Sequence, residues 1–274
     1  MGQTTIILMI LTIISKIFGF VRESVMAAVI GAGDIKSIYV TATTIPDIMT
    51  YTVIVGIVAA YIPVYTKVRS EKGESEARDF TSNLLNILMI YGAIIFGVIL
   101  VFAGPISKIF SPKLTGDSLA LAKDFTRIMA ISIFTFLYSA VIRGFLNAKG
   151  NFIDPVIPGI VVNIFVIGST ILTGIFDKPY ILIVGTLIGS ILQFARFPYV
   201  SHKLGYRHKR FVDFDNPYIK YMLAMMVPII ISSAANKISI LVDKSMASAF
   251  LGIDSVAKIF YTENMLDFIV EVFT

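Results

Sequence analysis

Long apolar stretches separated by short polar links follow one another along the whole chain. A helix needs about 20 apolar residues to cross a bilayer core about 30 Å thick. Eight stretches predict such helices, near residues 4–31, 37–67, 80–110, 119–147, 153–176, 180–201, 218–250 and 255–274. Several exceed the length of one span, and the prolines within or beside them predict kinks: Pro46, Pro63, Pro155, Pro158 and Pro228. With 56% hydrophobic and 15% charged residues, the sequence predicts an all-α polytopic membrane protein.

Basic residues are concentrated in alternate links between the predicted helices. The rich links carry Lys67, Arg69, Lys72 and Arg78; Arg143 and Lys149; and Lys203, Arg207, Lys209 and Arg210. The poorer links carry Lys36, then Lys108 and Lys113, then Lys178. By the positive-inside rule the amino terminus is cytoplasmic. The absence of Cys fits a bacterial cytoplasmic membrane. The basic stretch at 202–210 either determines the orientation of the chain in the membrane or binds anionic lipid headgroups. Nucleic acid is not an expected partner.

Three charges interrupt the first apolar run, which extends from Ile6 to Ile30. They are Lys16, Arg22 and Glu23. An ionisable side chain near the bilayer centre costs about 2.5–3.5 kcal/mol on insertion scales, so it usually faces a watery cavity, a partner or a substrate. Lys16 and Arg22 lie about 120° apart on a regular helix, and a bend at Gly19 would bring them to one face.

The charged stretch is repeated later in the chain. Residues 16–24 align without a gap on residues 237–245, and after one gap Asp34 aligns with Asp254. This repeat predicts a first transmembrane lobe at 1–215 and the start of a second, similar lobe at 216–274. The first lobe would have six helices and the second only its first two, so we expect the chain to be the amino-terminal part of a longer protein or to need a partner. Duplicated helical lobes with polar first helices are typical of transporters.

Several segments together resemble a known family. They are Ser15-Lys16-Ile17-Phe18-Gly19-Phe20-Val21-Arg22-Glu23, Ile30-Gly31-Ala32-Gly33, Ile45-Pro46-Asp47, Ile62-Pro63-Val64-Tyr65, residues 146–152 with Pro155, Pro158 and Asn163, Asn236-Lys237-Ile238, Leu241-Val242-Asp243-Lys244 and Ala247-Ser248. The combination is similar to the MurJ (MviN) lipid II flippases of the multidrug/oligosaccharidyl-lipid/polysaccharide exporter superfamily. The resemblance covers essentially the whole chain.

The resemblance implies a flippase that works by alternating access. Its substrate would be the undecaprenyl-pyrophosphate-linked glycan lipid II, whose headgroup moves from the cytoplasmic to the outer leaflet while the lipid tail stays in the membrane. Lys and Arg suit a pyrophosphate because they supply charge and charge-assisted hydrogen bonds. Membrane lipids and cell-wall synthesis proteins are further expected partners. The predicted headgroup cavity contains Lys16, Arg22, Glu23, Asp47, Lys237, Asp243, Lys244 and Asn264.

Five of these residues also have a simpler interpretation. Arg22 could pair with Glu23, and both Arg22 and Lys16 could extend to the membrane interface. Asp243 and Lys244 could lie near the outer surface. Asp47 could couple transport to a proton or ion, or could cap a helix broken at Pro46.

The chain also departs from the pattern of the family. Thr50 and Tyr51 stand where an Arg pair is usual, Val55 where a Glu is common, Ser37 in place of an acidic residue and Asn264 in place of an Arg. Much of the expected positive charge is therefore missing. A flippase for another polyprenyl-pyrophosphate glycan, a drug or cation antiporter of the same superfamily and a non-transporting membrane scaffold stay open as alternatives.

An enzyme is not expected. His202 and His208 fall in one predicted cytoplasmic loop, and the sequence has no Cys, no nucleophile triad and no phosphate-binding loop. No cofactor or metal is predicted, and a coupling ion cannot be identified from these residues.

Overall fold

A computed structural model describes the backbone of residues 2–273 and the side chains of residues 4–235 and 237–266. Asn236, which belongs to one of the family-like segments, lies outside the described side chains. The described chain is helical and contains α1 (Gly2–Val29), α2 (Asp34–Lys72), α3 (Glu74–Phe110), α4 (Gly116–Ala130), α5 (Ser132–Ala148), α6 (Pro158–Phe176), α7 (Pro179–Leu192), α8 (Arg196–Lys203), α9 (Pro217–Leu251) and α10 (Ser255–Phe273).

The prediction of an all-α membrane protein is confirmed. In the described part of the chain, seven helical segments are long and apolar enough to cross a membrane. They comprise α1, α2, α3, α6, α9, the pair α4–α5 and the pair α7–α8. The predicted eighth helix exists as α10, but it is not among these seven.

Two predicted helices are broken, which is why eight predicted stretches become ten helices. The predicted helix at 119–147 turns at Ile131, and the one at 180–201 is interrupted at residues 193–195. The second break places Pro198 in the first turn of α8, where its missing N–H costs little. The predicted start at 153 is also wrong: α6 begins at Pro158, whose fixed φ suits the first helical position.

The prolines of α2 do not interrupt it. Pro46 and Pro63 lie inside one helix of 39 residues. One turn after Pro46, the hydroxyl of Thr50 donates to the carbonyl oxygen of Pro46 at 2.8 Å. A clear kink instead occurs in α3 at Phe102, three residues before Pro105, and the sequence prediction omitted it.

Helix α2 lies at the centre of the packing and contacts α3, α4, α5, α9 and α10. Its carboxyl-terminal half carries Tyr61 and Tyr65, which stack with ring centroids 5.6 Å apart in the larger apolar core. Gly144 lets α5 approach this pair, because a Cβ there would lie 2.6 Å from a ring carbon of Tyr61. Helix α1 is peripheral and packs against α6 and α10.

The predicted lobe boundary at 215–216 falls in the link between α8 and α9. Residues 204–216 are non-helical, and the side chain of Asn216 accepts hydrogen bonds from the first turn of α9. The aligned residues Asp34 and Asp254 lie at the starts of α2 and α10, respectively. The division into two lobes stays a prediction.

Candidate functional site

A cavity of about 500 Å³ lies between α1, α6 and α10. Four of the eight predicted headgroup residues line it: Lys16, Arg22, Glu23 and Asn264. Lys16 and Arg22 therefore line the same cavity. The cavity is also lined by Asn163 of α6 and Tyr261 of α10, which were not predicted as site residues.

Glu23 is held between two cations. Arg22 donates to Oε1 of Glu23 from Nε at 2.9 Å, and its Nη2 lies 2.7 Å from the same oxygen. The other oxygen, Oε2, accepts from Nζ of Lys36 at 2.9 Å. The Glu23 and Lys36 side chains are 8% and 0% exposed, whereas that of Arg22 is 26% exposed. The cluster carries a net positive charge, and Arg22 is the member that is open to the cavity.

The orientation of Arg22 is fixed from a second direction. Its Nη1 donates to Oδ1 of Asn163 at 3.0 Å, and Nδ2 of Asn163 donates to the backbone oxygen of Ser15 at 3.4 Å. Asn163 thus joins α6 to two points on α1. Arg22 pairs with Glu23 and also lines the cavity, so the pairing does not exclude a position at the cavity.

Lys36 is the main residue that sequence reasoning misplaced. It was assigned to a link because α2 was predicted to begin at residue 37, but α2 begins at Asp34 and buries Lys36. Its ammonium lies 4.5 Å from the ring centroid of Tyr261, 4.8 Å from that of Phe260 and 5.4 Å from that of Tyr39. Tyr39 and Val40, one helical turn later on the same face, are the sequence signal that could have placed Lys36 inside.

A second pair of charges joins α2 to α9. Nζ of Lys237 lies 2.9 Å from Oδ2 of Asp47 and 3.9 Å from the ring centroid of Tyr51. The interpretation of Asp47 as the cap of a broken helix is wrong, because α2 continues through Pro46 and Asp47. Tyr51, one of the departures from the family pattern, therefore supplies an aromatic face for a lysine.

The remaining predicted residues are distributed over α9 and α10. Lys244 is buried, 3.9 Å from Oε2 of Glu263 and 5.3 Å from the ring centroid of Phe260. Asp243 is exposed and does not line the cavity. Asn264 lines the cavity, and its Nδ2 donates to the backbone oxygen of Phe260 at 2.9 Å. The binding roles of all eight residues stay predictions.

Contacts between the first helices and the last two occur at both ends of α2. At its amino-terminal end the hydroxyl of Ser37 accepts from the N–H of Ala257, and the hydroxyl of Tyr261 donates to the oxygen of Gly31. At its carboxyl-terminal end Tyr218 donates to Glu71 at 2.8 Å, and Lys67 lies over the ring of Tyr221.

Within the described residues, no group of three or more His, Asp or Glu side chains could hold a metal ion.

The sequence is similar to known proteins of one family. Residues 26–274 match the family model described as lipid II flippase MurJ. The probable lipid II flippase MurJ of Buchnera aphidicola subsp. Acyrthosiphon pisum is 25% identical over 265 residues, which cover 94% of this chain and 52% of the relative. That of Vibrio cholerae is 23% identical over 279 residues, covering 97% and 53%. The chain spans about half the length of the curated relatives it matches.

Solved structures share the fold. A lipid II flippase MurJ in an inward closed conformation gives a TM-score of 0.79 at 23% identity, covering 95% of this chain and 54% of that one. The MATE multidrug transporter DinF-BH gives 0.71 at 16% identity, covering 96% and 60%. The family match extends over nearly the whole sequence and includes the helices that contain Lys36, Asn163, Lys237 and Asn264. The chain therefore belongs to the MurJ lipid II flippase family.

Proposed function

We propose that the full-length protein is a lipid II flippase of the bacterial cytoplasmic membrane, with its amino terminus in the cytoplasm. The observation that carries the proposal is the partly exposed Arg22, held by Glu23 and Asn163 at the cavity between α1, α6 and α10. In this proposal the protein is a transporter with no catalytic group and no cofactor, no coupling ion is assigned, and protein partners in cell-wall synthesis stay a prediction.

Arg22 is suited to bind a pyrophosphate. A guanidinium has five N–H groups in a planar fork. The contacts with Glu23 and Asn163 use one on Nε, one on Nη2 and one on Nη1, which leaves two for a ligand. Because the three contacts fix the plane of the group, little side-chain entropy would be lost when phosphate oxygens bind. Lys16, on the same cavity wall, would add a second cation.

Glu23 would act as the resident counter-ion of the site. With no substrate bound, its two oxygens neutralise part of the charge of Arg22 and Lys36, which lowers the cost of keeping both cations in the membrane. A bound pyrophosphate would compete with Glu23 for Arg22. The buried Lys36 would retain Glu23 and keep it from moving into the cavity.

Alternating access requires the contacts at the two ends of α2 to open in turn. With the amino terminus in the cytoplasm, Lys36, Ser37 and Tyr261 lie at the outer end, and Lys67, Glu71 and Tyr218 lie at the cytoplasmic end. Opening to the outside would separate α10 from α2, and opening to the cytoplasm would separate α9 from the end of α2. Both sets of contacts are formed in this structure.

Transport by the full-length protein tests the proposal. We expect the wild-type gene to rescue cells depleted of their own lipid II flippase, and Arg22→Ala to insert normally but lose translocation in a leaflet-accessibility assay. Arg22→Lys should retain measurable transport, and Lys72→Ala, which removes an exposed cation from the end of α2, should be unaffected. Failure of the wild-type gene to rescue would overturn the function. Undiminished transport by Arg22→Ala would overturn the role of that residue.

A further inference from the structure

A second cavity, of about 390 Å³, lies between α3, α5, α8 and the link to α9. It shares no lining residue with the cavity at the charged cluster. Its interior is apolar and includes Leu85, Met89 and Tyr138. Its polar lining includes His202, Arg207 and His208. An apolar interior beside a set of basic side chains is the arrangement that an anionic amphiphile requires, and none of these residues belongs to the proposed headgroup site.

The link that supplies Arg207 and His208 is fixed along α3. Asn83 exchanges two hydrogen bonds with the backbone of Asp213, at 2.7 and 2.8 Å. Asn86 donates to the backbone oxygens of Lys209 and Phe211, each at 2.8 Å. The ammonium of Lys209 lies 2.6 Å from Oδ2 of Asp79. The basic residues therefore occupy a preorganised position at the cavity rather than a loose loop.

The length of α3 indicates the depth of this cavity in the membrane. The helix has 37 residues, which at 1.5 Å per residue extend about 55 Å, well beyond a core of about 30 Å. The charged residues of its first turns precede an uncharged apolar run at residues 87–103 that is about 26 Å long and matches the core. Leu85 lies just before that run and Met89 lies at its start, so the cavity is at the level of the lipid headgroups.

Exposed side chains around the cavity also suit an interfacial position. Tyr199 of α8 is 68% exposed, and Phe214 of the link is 60% exposed. Lys203 of α8 and Arg210 of the link are also exposed. Aromatic and basic side chains together are typical of surfaces that lie against anionic membranes.

We propose that this cavity binds an anionic phospholipid from the cytoplasmic leaflet. The phosphate lies against Arg207 and the two histidines, and one acyl chain lies along Leu85, Met89 and Tyr138. The described hydrogen bonds of Arg207 go from Nη1 to the backbone oxygens of His202 and Tyr206, so Nε and Nη2 are left for the phosphate. Nδ1 of His208 is within 3.1 Å of the hydroxyl of Tyr206, which leaves Nε2 for the ligand. Topogenic charge alone requires basic residues on this side of the membrane but no cavity beside them.

Lipid binding to the purified full-length protein tests the assignment independently of transport. In native mass spectrometry we expect phosphatidylglycerol to bind more tightly than phosphatidylcholine. The double variant Arg207→Gln/His208→Gln should weaken phosphatidylglycerol binding at least about fivefold, as expected for loss of one cation at a membrane surface. The matched control is Lys72→Gln, which removes one exposed cation on the same predicted side and should have no effect. Equal binding of the two lipids, or equal behaviour of the double variant and the control, would overturn the proposal.

Two further measurements distinguish a lipid site from a simple anion site. Met89→Trp should fill the apolar part of the cavity and weaken phosphatidylglycerol binding without changing the charge. Inorganic phosphate at millimolar concentration should not displace the lipid. Unchanged binding by Met89→Trp, or displacement by phosphate, would show that exposed charge alone holds the headgroup and would overturn the assignment of the cavity.

Discussion

The ion pair between Lys36 and Glu23 provides the sharpest test of how this protein keeps charge inside the membrane. Lys36→Met preserves an unbranched side chain against Phe260 and Tyr261 but removes the cation. Oε2 of Glu23 then loses its partner, while Oε1 keeps Arg22. Removing one partner of a buried pair costs about 3–5 kcal/mol. Because Arg22 is retained, we expect a cost near the lower limit, about 3 kcal/mol of unfolding free energy.

The complementary variant, Glu23→Gln, is expected to cost more. Among the described side chains, Glu23 supplies the only carboxylate within hydrogen-bonding distance of the fully buried Lys36, and its removal leaves Arg22 nearby as a second cation. We expect about 4 kcal/mol. Combining the two substitutions removes both partners of the buried pair. The loss of unfolding free energy in the double variant should therefore be smaller than the sum of the two single losses by at least about 2 kcal/mol.

Equilibrium unfolding of the full-length protein in micelles measures all three variants. Lys72→Met provides the control, because it makes the same substitution on the same helix at an exposed position and should change stability by less than about 0.5 kcal/mol. Additive costs in the double variant, or a cost below about 1 kcal/mol for Lys36→Met, would refute the reasoning. Lys36 would then not be held by Glu23 in the folded protein.

Two further outcomes follow from the packing. Gly144→Ala should destabilise the protein by about 1–3 kcal/mol, because its Cβ would lie 2.6 Å from a ring carbon of the buried Tyr61. The control is Gly168→Ala, whose Cβ would meet nothing within 4 Å and which should be neutral or stabilising. Equal melting temperatures for the two variants would contradict this expectation. Asn83→Ala combined with Asn86→Ala removes the hydrogen bonds to Asp213, Lys209 and Phe211, and should loosen the link at residues 204–216 and speed tryptic cleavage after Arg207. An unchanged cleavage rate in the double variant would show that these two residues do not hold the link.

The general architecture could be predicted because hydropathy and helix length are local properties. The apolar stretches gave the membrane helices, and charge inside the first of them located Arg22 and Glu23. Local patterns were weaker at helix ends. The turn at Ile131 has no proline or glycine to signal it, and the late assignment of the start of α2 placed Lys36 in a link.

The partners of the site could not be read from the sequence, because they come from distant segments. Asn163 is 141 residues from Arg22, and Phe260 and Tyr261 reach Lys36 only when α10 packs on α2. Hydropathy treats Phe260 and Tyr261 as ordinary lipid-facing or core aromatics. Their role as neighbours of a buried ammonium depends on tertiary packing.

The fixed link also determines how movement can reach the outer end of the protein. Its described hydrogen bonds to α3 end at Asp213, and α9 begins at Pro217, so a continuous helix of 35 residues starts almost at the point of attachment. That helix is about 52 Å long. A rotation of about 10° at its attached end would move Gly252 by roughly 9 Å. A small rearrangement beside the link would thus be amplified along α9 into a displacement large enough to carry Phe260 away from Lys36.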